Sequence, residues 1–261
     1  MLQSLTDQLG RKMLVDLPLR KIVSVVPSQT ELLYHLGLEK EVAGITKFCI
    51  HPEKWFREKT RVGGTKQLHL DKIKELRPGL ILANKEENDR TQIEELAASF
   101  PVWISDIRRL EDATAMVEAV GSMTSKEDIA ASLIRKITEG FALLKTRRKK
   151  RIAYFIWKDP YMAAGGNTFI NDMIERAGFE NVLKDKPRYP EVDLQEIEKL
   201  NCDYLFLSSE PYPFREKHFA AFLQTVPNAK PVLVNGEMFS WYGSRLIMAA
   251  DYLRKLNQQL A

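Results

Sequence analysis

Apolar positions along the chain fall into two alternating patterns: short β-branched runs and stretches with helical spacing. The run 22–26 (IVSVV) predicts a strand, followed by a Pro-Ser-Gln-Thr turn and a helix through ELLYHLGL. Ser28 or Thr30 would cap that helix, and Gly37 suits its C-terminal end. VAGIT (42–46) predicts a second strand. In LDKIKEL (70–76) the apolar positions 70, 73 and 76 share one helical face, and Pro78-Gly79 stops the helix before the buried-strand run 80–83. An amphipathic helix over 92–100 and a strand over 101–106 complete the first half. Strands alternating with helices predict a parallel sheet covered by helices.

From 110 to 150 the pattern is helical, with a break at Gly121. Ile129, Leu133, Ile137, Phe141 and Leu144 recur at spacings of three and four, predicting one long helix over 125–149. The strand–helix alternation then restarts. Strands are predicted over 152–157, 204–209 and 231–236, and helices over 169–178, 193–200, 218–226 and 244–260. The fold class is therefore α/β: two lobes, each a parallel-sheet α/β sandwich, joined by a single long helix, with the ligand cleft between them. The predicted boundaries are 1–122 for the N-terminal lobe, 123–150 for the interlobe helix and 151–261 for the C-terminal lobe.

The two halves are related. At an offset of 124 residues, the apolar positions 70, 73 and 76 fall on 194, 197 and 200, and the strand 80–82 falls on 204–206. Glu86 then falls on Glu210, both just past a strand. In open α/β sheets, ligands bind beyond the carboxyl ends of the strands. The post-strand loops hold Ser28, Gln29, Lys47, Phe48, Lys85, Glu86, Trp157, Glu210, Phe239, Trp241 and Tyr242; Tyr189 is a further loop aromatic, and Lys66 and Arg245 are further cations that could meet the ligand.

Composition narrows the classes. The chain has 261 residues, 44% hydrophobic and 28% charged, which suits a globular protein with a substantial core. The net charge of +4 is mild. The basic run 147–151 (RRKKR) comes with no nucleic-acid-binding motif, so no nucleic-acid partner is expected; it is read as a solvated helix end. The two cysteines, Cys49 and Cys202, form no zinc spacing, and Cys202 is expected as a buried thiol. No apolar run reaches the ~18 residues that span a membrane. The first residues carry neither a secretory h-region nor a lipobox. Two readings stand: a leader has been removed, or the protein is made without one.

No nucleophile elbow, P-loop or dinucleotide-binding fingerprint is present, so no enzyme activity is expected. Glu86 and Glu210 could do acid–base work, but nothing else in the sequence supports it. Lys85-Glu86-Glu87-Asn88 reads either as a cation site or as a solvated loop. The four histidines lack metal spacing, and no metal site is expected. The loop aromatics suit a flat ligand with large apolar faces, such as a corrin, haem or catechol chelate. The loop cations would meet an anionic one. Arg245 could instead be a structural ion-pair partner at a helix start.

IVSVVPSQTELLYHLGL (22–38), VAGITKFCIHPE (42–53), RVGGTK (61–66), LDKIKELRPGLILAN (70–84) and SRLIMAADYL (244–253) together resemble the cobalamin- and siderophore-binding proteins that feed ABC importers. The likeness covers about residues 20–255 and is strongest to vitamin B12-binding members. It implies a monomer that captures a corrinoid or ferric chelate non-covalently and hands it to an ABC permease outside the cytoplasm. The rival reading is a cytoplasmic sensor or carrier of the same fold. By position, the resemblance implies that Ser28, Gln29, Phe48, Thr65, Tyr189, Glu237 and Trp241 face the ligand. Acidic residues opening two equivalent helices would dock on permease arginines. Asp71 fills one such place; Gln195 stands in the other, with Glu196 beside it. Thr65 stands where the B12 binder has a cleft tryptophan.

Overall fold

In the computed structural model, residues 1–144 and 150–260 are described. The chain forms two compact units, each assembled from separated stretches of sequence. Unit 1 takes 1–107, 111–136 and 242–245; unit 2 takes 108–110, 137–241 and the chain from 246 onward.

Unit 1 opens with an antiparallel hairpin, β1 (Leu2–Thr6) and β2 (Lys12–Asp16), which the hydrophobic pattern did not signal. The order continues β3 (Ile22–Ser24), α1 (Pro27–His35), β4 (Val42–Ile45), α2 (Glu53–Glu58), β5 (Thr60–Arg61), α3 (Leu70–Leu76), β6 (Leu80–Asn84), α4 (Arg90–Ala97), β7 (Val102–Ser105), α5 (Leu110–Met123) and α6 (Glu127–Ala142). The sheet is wholly parallel, in the order β5-β4-β3-β6-β7. Every residue of β3, β6 and β7 is buried. Such continuous burial is what a sheet covered on both faces requires. Val23, Ile73, Ile81, Ile93, Leu96 and Val102 form the core on one face, each such side chain contributing about 1.5–3 kcal/mol by leaving water.

Unit 2 runs β8 (Lys150–Trp157), β9 (Met162–Ala163), α7 (Phe169–Arg176), β10 (Phe179–Asn181), α8 (Leu194–Lys199), β11 (Tyr204–Ser208), α9 (Phe219–Thr225), β12 (Lys230–Val234), α10 (Glu237–Ser240) and α11 (Leu246–Gln259). Its parallel strands lie in the order β10-β8-β11-β12, with β9 antiparallel on β8. That order matches β4-β3-β6-β7 of unit 1. The sequence repeat is therefore a topological repeat: α3–β6 and α8–β11 are the same piece of each unit.

Several local expectations need correction. Neither Ser28 nor Thr30 caps α1. The helix starts earlier, with Pro27 in its first turn and Val26 at the cap position making no side-chain bond; a proline there sacrifices no intrahelical donor. The hydroxyl of Thr30 is instead buried within reach of Ser24 Oγ (2.8 Å) and Cys49 Sγ (3.1 Å). Gly121 lies inside α5 rather than at a break. Its role is close approach, since a Cβ there would sit 2.4 Å from Ala130 Cβ. The turn falls after α5, where Ser125 takes φ 55°. The long helix predicted over 125–149 is α6, whose 16 residues span about 24 Å. Residues 145–149 lie outside the described residues. Of the basic run, Lys150 and Arg151 open a strand instead of closing a helix.

The hairpin has a definite place. Its turn lies along the free edge of β7. Gln8 N donates to Ile104 O (3.2 Å), Arg11 Nη2 donates to Val102 O (2.9 Å), and Asp106 N donates to Gln8 Oε1 (3.1 Å). Buried Asp7 ties the turn together by accepting from Leu9 N and Arg11 N.

Candidate ligand-binding site

In unit 1 the carboxyl ends of β3, β6 and β7 converge on a buried polar network. Gln29 Nε2 donates to Ser105 Oγ (2.7 Å) and Ala83 O (3.2 Å), and Asn84 Nδ2 donates to Ser105 Oγ (2.9 Å). Asn84 Oδ1 accepts from the backbone N–H groups of Glu86 and Glu87, while Asn88 Oδ1 accepts from Asn84 N. Asn88 Nδ2 reaches Val25 O and Thr65 O. The 85–88 loop is thus tied down by its own asparagines. Tyr242 OH donates to Glu87 Oε1 at 2.6 Å. Burial, and then the Glu87 carboxylate, hold the Tyr242 phenol well above its usual pKa, so it remains a donor.

Beside this network stands an exposed aromatic surface. Phe48, after β4, is 51% exposed. Lys47 Nζ lies 5.1 Å from the centre of its ring. Both side chains rest on Gly64, where a Cβ would meet Phe48 Cε2 at 3.2 Å and Lys47 Cε at 3.3 Å. Thr65 is half-buried, and Lys66 is exposed, its Nζ donating to Glu86 O and Asn88 O.

In unit 2, Trp157 ends β8 and is 40% exposed, with its ring edge-to-face against Tyr212 at 5.8 Å. Tyr212 packs on Phe214 and on His218, whose imidazole pKa is lowered first by burial and then by Lys217. Glu210 faces inward: Trp241 Nε1 (2.9 Å) and Ser240 Oγ (2.8 Å) both donate to its Oε1. Gly236 admits this arrangement, for a Cβ there would lie 2.5 Å from Glu210 Cγ. Tyr189 and Glu237 are half-buried.

A model of the periplasmic binding protein family matches residues 22–230. The chain belongs to that family. The vitamin B12-binding protein of Pectobacterium carotovorum is 21% identical over 242 residues, covering 90% of this chain and 87% of the relative. Among solved structures, the periplasmic vitamin B12-binding protein of Vibrio cholerae has a TM-score of 0.79 at 18% identity, covering 93% of this chain and 98% of that one. The periplasmic heme-binding protein HutB of Vibrio cholerae has a TM-score of 0.76 at 19% identity, covering 90% and 98%. The chain is a solute-binding protein, not an enzyme.

Within this binding-protein fold the expected site residues other than half-buried Tyr189 and Glu237 separate into three groups. Lys47, Phe48, Thr65, Lys66 and Trp157 stand at or near the surface at carboxyl ends of strands. Ser28, Gln29, Glu86, Glu210, Trp241 and Tyr242 belong to the polar scaffolds behind those surfaces; Trp241 is 7% exposed and Tyr242 5%. Phe239 and Arg245 are buried away from those surfaces. Phe239 is fully buried against Tyr154 and Phe206, because α10 turns that face into the core. Arg245 is held by Glu31 through bonds of 2.6 and 2.8 Å, which leaves its guanidinium a structural partner. Asn84 and Ser105 were missed, and Asn88 was read only as part of the 85–88 loop. The asparagine pair spaced four residues apart just after a strand is the signal that could have revealed them.

The residues that the resemblance implied for docking lie in the first turns of two equivalent helices. Asp71 lies exposed in the first turn of α3, and Gln195 and Glu196 in the first turn of α8. Each borders a surface hollow, of about 540 Å³ beside α3 and about 680 Å³ beside α8. Among the described residues no group of three or more His, Cys, Asp or Glu could hold a metal ion, and no helix is long and apolar enough to cross a membrane.

Proposed function

We propose that this periplasmic binding protein captures a flat metal chelate, a corrinoid or a ferric chelate, and delivers it to an ABC importer. The observation that carries the reading is the pair of exposed aromatic surfaces at carboxyl ends of parallel strands, Phe48 in unit 1 and Trp157 with Tyr212 in unit 2. Aromatic rings cover a large apolar face with little loss of side-chain freedom. Most other aromatic side chains of both units are buried or half-buried, and Tyr34, 41% exposed, leans edge-to-face on Trp55; Phe48 and Trp157 are the exposed rings that stand at carboxyl ends of strands. The named relatives bind vitamin B12 or heme, both flat macrocycles. Asp71 and Glu196 are the residues proposed to meet the permease, since they open equivalent helices of the repeat.

Tryptophan fluorescence titration tests the reading. Trp157 is the reporter, because Trp55, Trp103 and Trp241 are buried. Cyanocobalamin, hemin and a ferric catecholate siderophore form the panel. Saturable quenching by at least one, weakened by Phe48→Ala, is expected; absence of quenching by all three overturns it. Replacing Asp71 and Glu196 by lysine should leave binding intact and abolish uptake in cells.

A further inference from the structure

The charged groups at the ligand end of unit 1 are unevenly compensated. Three of its carboxylates have partners in the protein. Glu31 is held by Arg245, Asp106 by Lys85 at 2.7 Å, and Glu87 accepts the Tyr242 hydroxyl at 2.6 Å. Two lysines are left. Among the described residues neither Lys47 nor Lys66 forms an ion pair. The Lys47 ammonium lies over one side of the exposed Phe48 ring, and Lys66 reaches only the carbonyl oxygens of Glu86 (2.6 Å) and Asn88 (3.2 Å). The Lys47 stem and the Phe48 ring both lie against the bare Cα of Gly64, and Lys66 follows that glycine by two residues.

An apolar plate bordered by two unpaired cations is complementary to a flat body with negative charge on its rim. We infer that the ligand is a planar macrocycle carrying peripheral carboxylates, with Phe48 covering its face and Lys47 and Lys66 meeting its rim. A corrinoid rimmed with neutral amides would leave both ammonium groups unmatched. Lysine suits this role: it is a point charge on a flexible stem and does not demand the bidentate geometry of arginine. The inference rests on the binding function proposed above and specifies which chelate that site selects.

Hemin, hemin dimethyl ester and dicyanocobinamide separate the possibilities, because the first two share one flat core and differ only in rim charge. The purified chain is titrated with each by absorbance and tryptophan quenching, at low and high salt. Hemin is expected to bind at least about tenfold tighter than its ester, a margin that shrinks as salt rises. Lys47→Ala with Lys66→Ala should lower hemin affinity by about tenfold or more and leave the ester within about twofold. Phe48→Ala should weaken both. Equal binding of hemin and its ester, or tighter binding of the cobinamide, overturns the inference while the binding function stands. Failure of all three to bind overturns this inference, and it overturns the binding function as well only if the ferric siderophore titrated above also fails to quench.

Discussion

Glu31 and Arg245 are both less than a tenth exposed and meet through two charge-assisted hydrogen bonds. Removing one partner of such a pair strands a buried charge, which costs about 3–5 kcal/mol. Arg245→Ala should therefore destabilise the protein by about that much in urea unfolding, and Glu31→Leu with Arg245→Met should recover most of the loss. A second residue-scale prediction concerns the thiols. Burial raises both Cys49 and Cys202 to about 11 from an ordinary value of 9.0, so neither is a thiolate at neutral pH. Both should resist a thiol reagent at pH 8 until the protein is unfolded. The sign of the linkage follows. Below 9 both states hold the proton and the thiols contribute no pH dependence. Between 9 and 11 only the unfolded state ionises, so their contribution to stability is lost as pH rises through that window. Rapid labelling of the native protein would contradict the burial of both groups. Cys202 was readable as a buried thiol from the apolar strand it precedes. The ion pair was only one of two readings of Arg245, because its partner lies 214 positions away.

The elements were legible where periodicity was strong. α3, β6, α8, β11, α9 and α11 follow the predicted spans closely, since their apolar positions repeat over enough residues to select one period. Shorter pieces escaped. β5, β9, β10 and α10 have two to four residues each, too few for a period to register. β10 was foreseeable by another route: the repeat requires a strand where VAGIT stands in the first half. The hairpin β1–β2 was missed because its residues are mostly exposed and carry no alternating pattern. Its position gives a prediction. The hairpin turn satisfies Val102 O and Ile104 O on the edge strand β7 and Asp106 N just past it, and an uncovered edge invites pairing with another chain. A variant lacking residues 1–17 should associate more than the full chain by size exclusion with light scattering. An unchanged mass together with an unchanged melting temperature would show that β7 needs no cover.

At the scale of the whole molecule, neither unit is a continuous segment. Unit 1 needs Tyr242–Arg245 from far along the chain, and unit 2 takes 108–110, which end on the first residue of α5. Tyr242 and Arg245 are the partners of Glu87 and Glu31, so an N-terminal fragment of residues 1–136 would hold a buried Glu31 with no counter-charge. That fragment should melt well below the full chain by circular dichroism, with a deficit near the 3–5 kcal/mol of the broken pair. A fragment as stable as the full chain would make the crossing segment dispensable. The sequence by itself determined the α/β class, the parallel sheets and the repeat, because these follow from local hydrophobic period and spacing. It also singled out the aromatic and basic loops, because residue type alone suggests their chemistry. Only the tertiary structure decided which of those loop residues are free. It buried Phe239, paired Arg245 with Glu31 and engaged Glu210 with Trp241, while leaving Phe48 and Lys47 exposed on Gly64. Those outcomes depend on contacts between residues tens to hundreds of positions apart, and local spacing carries no record of them.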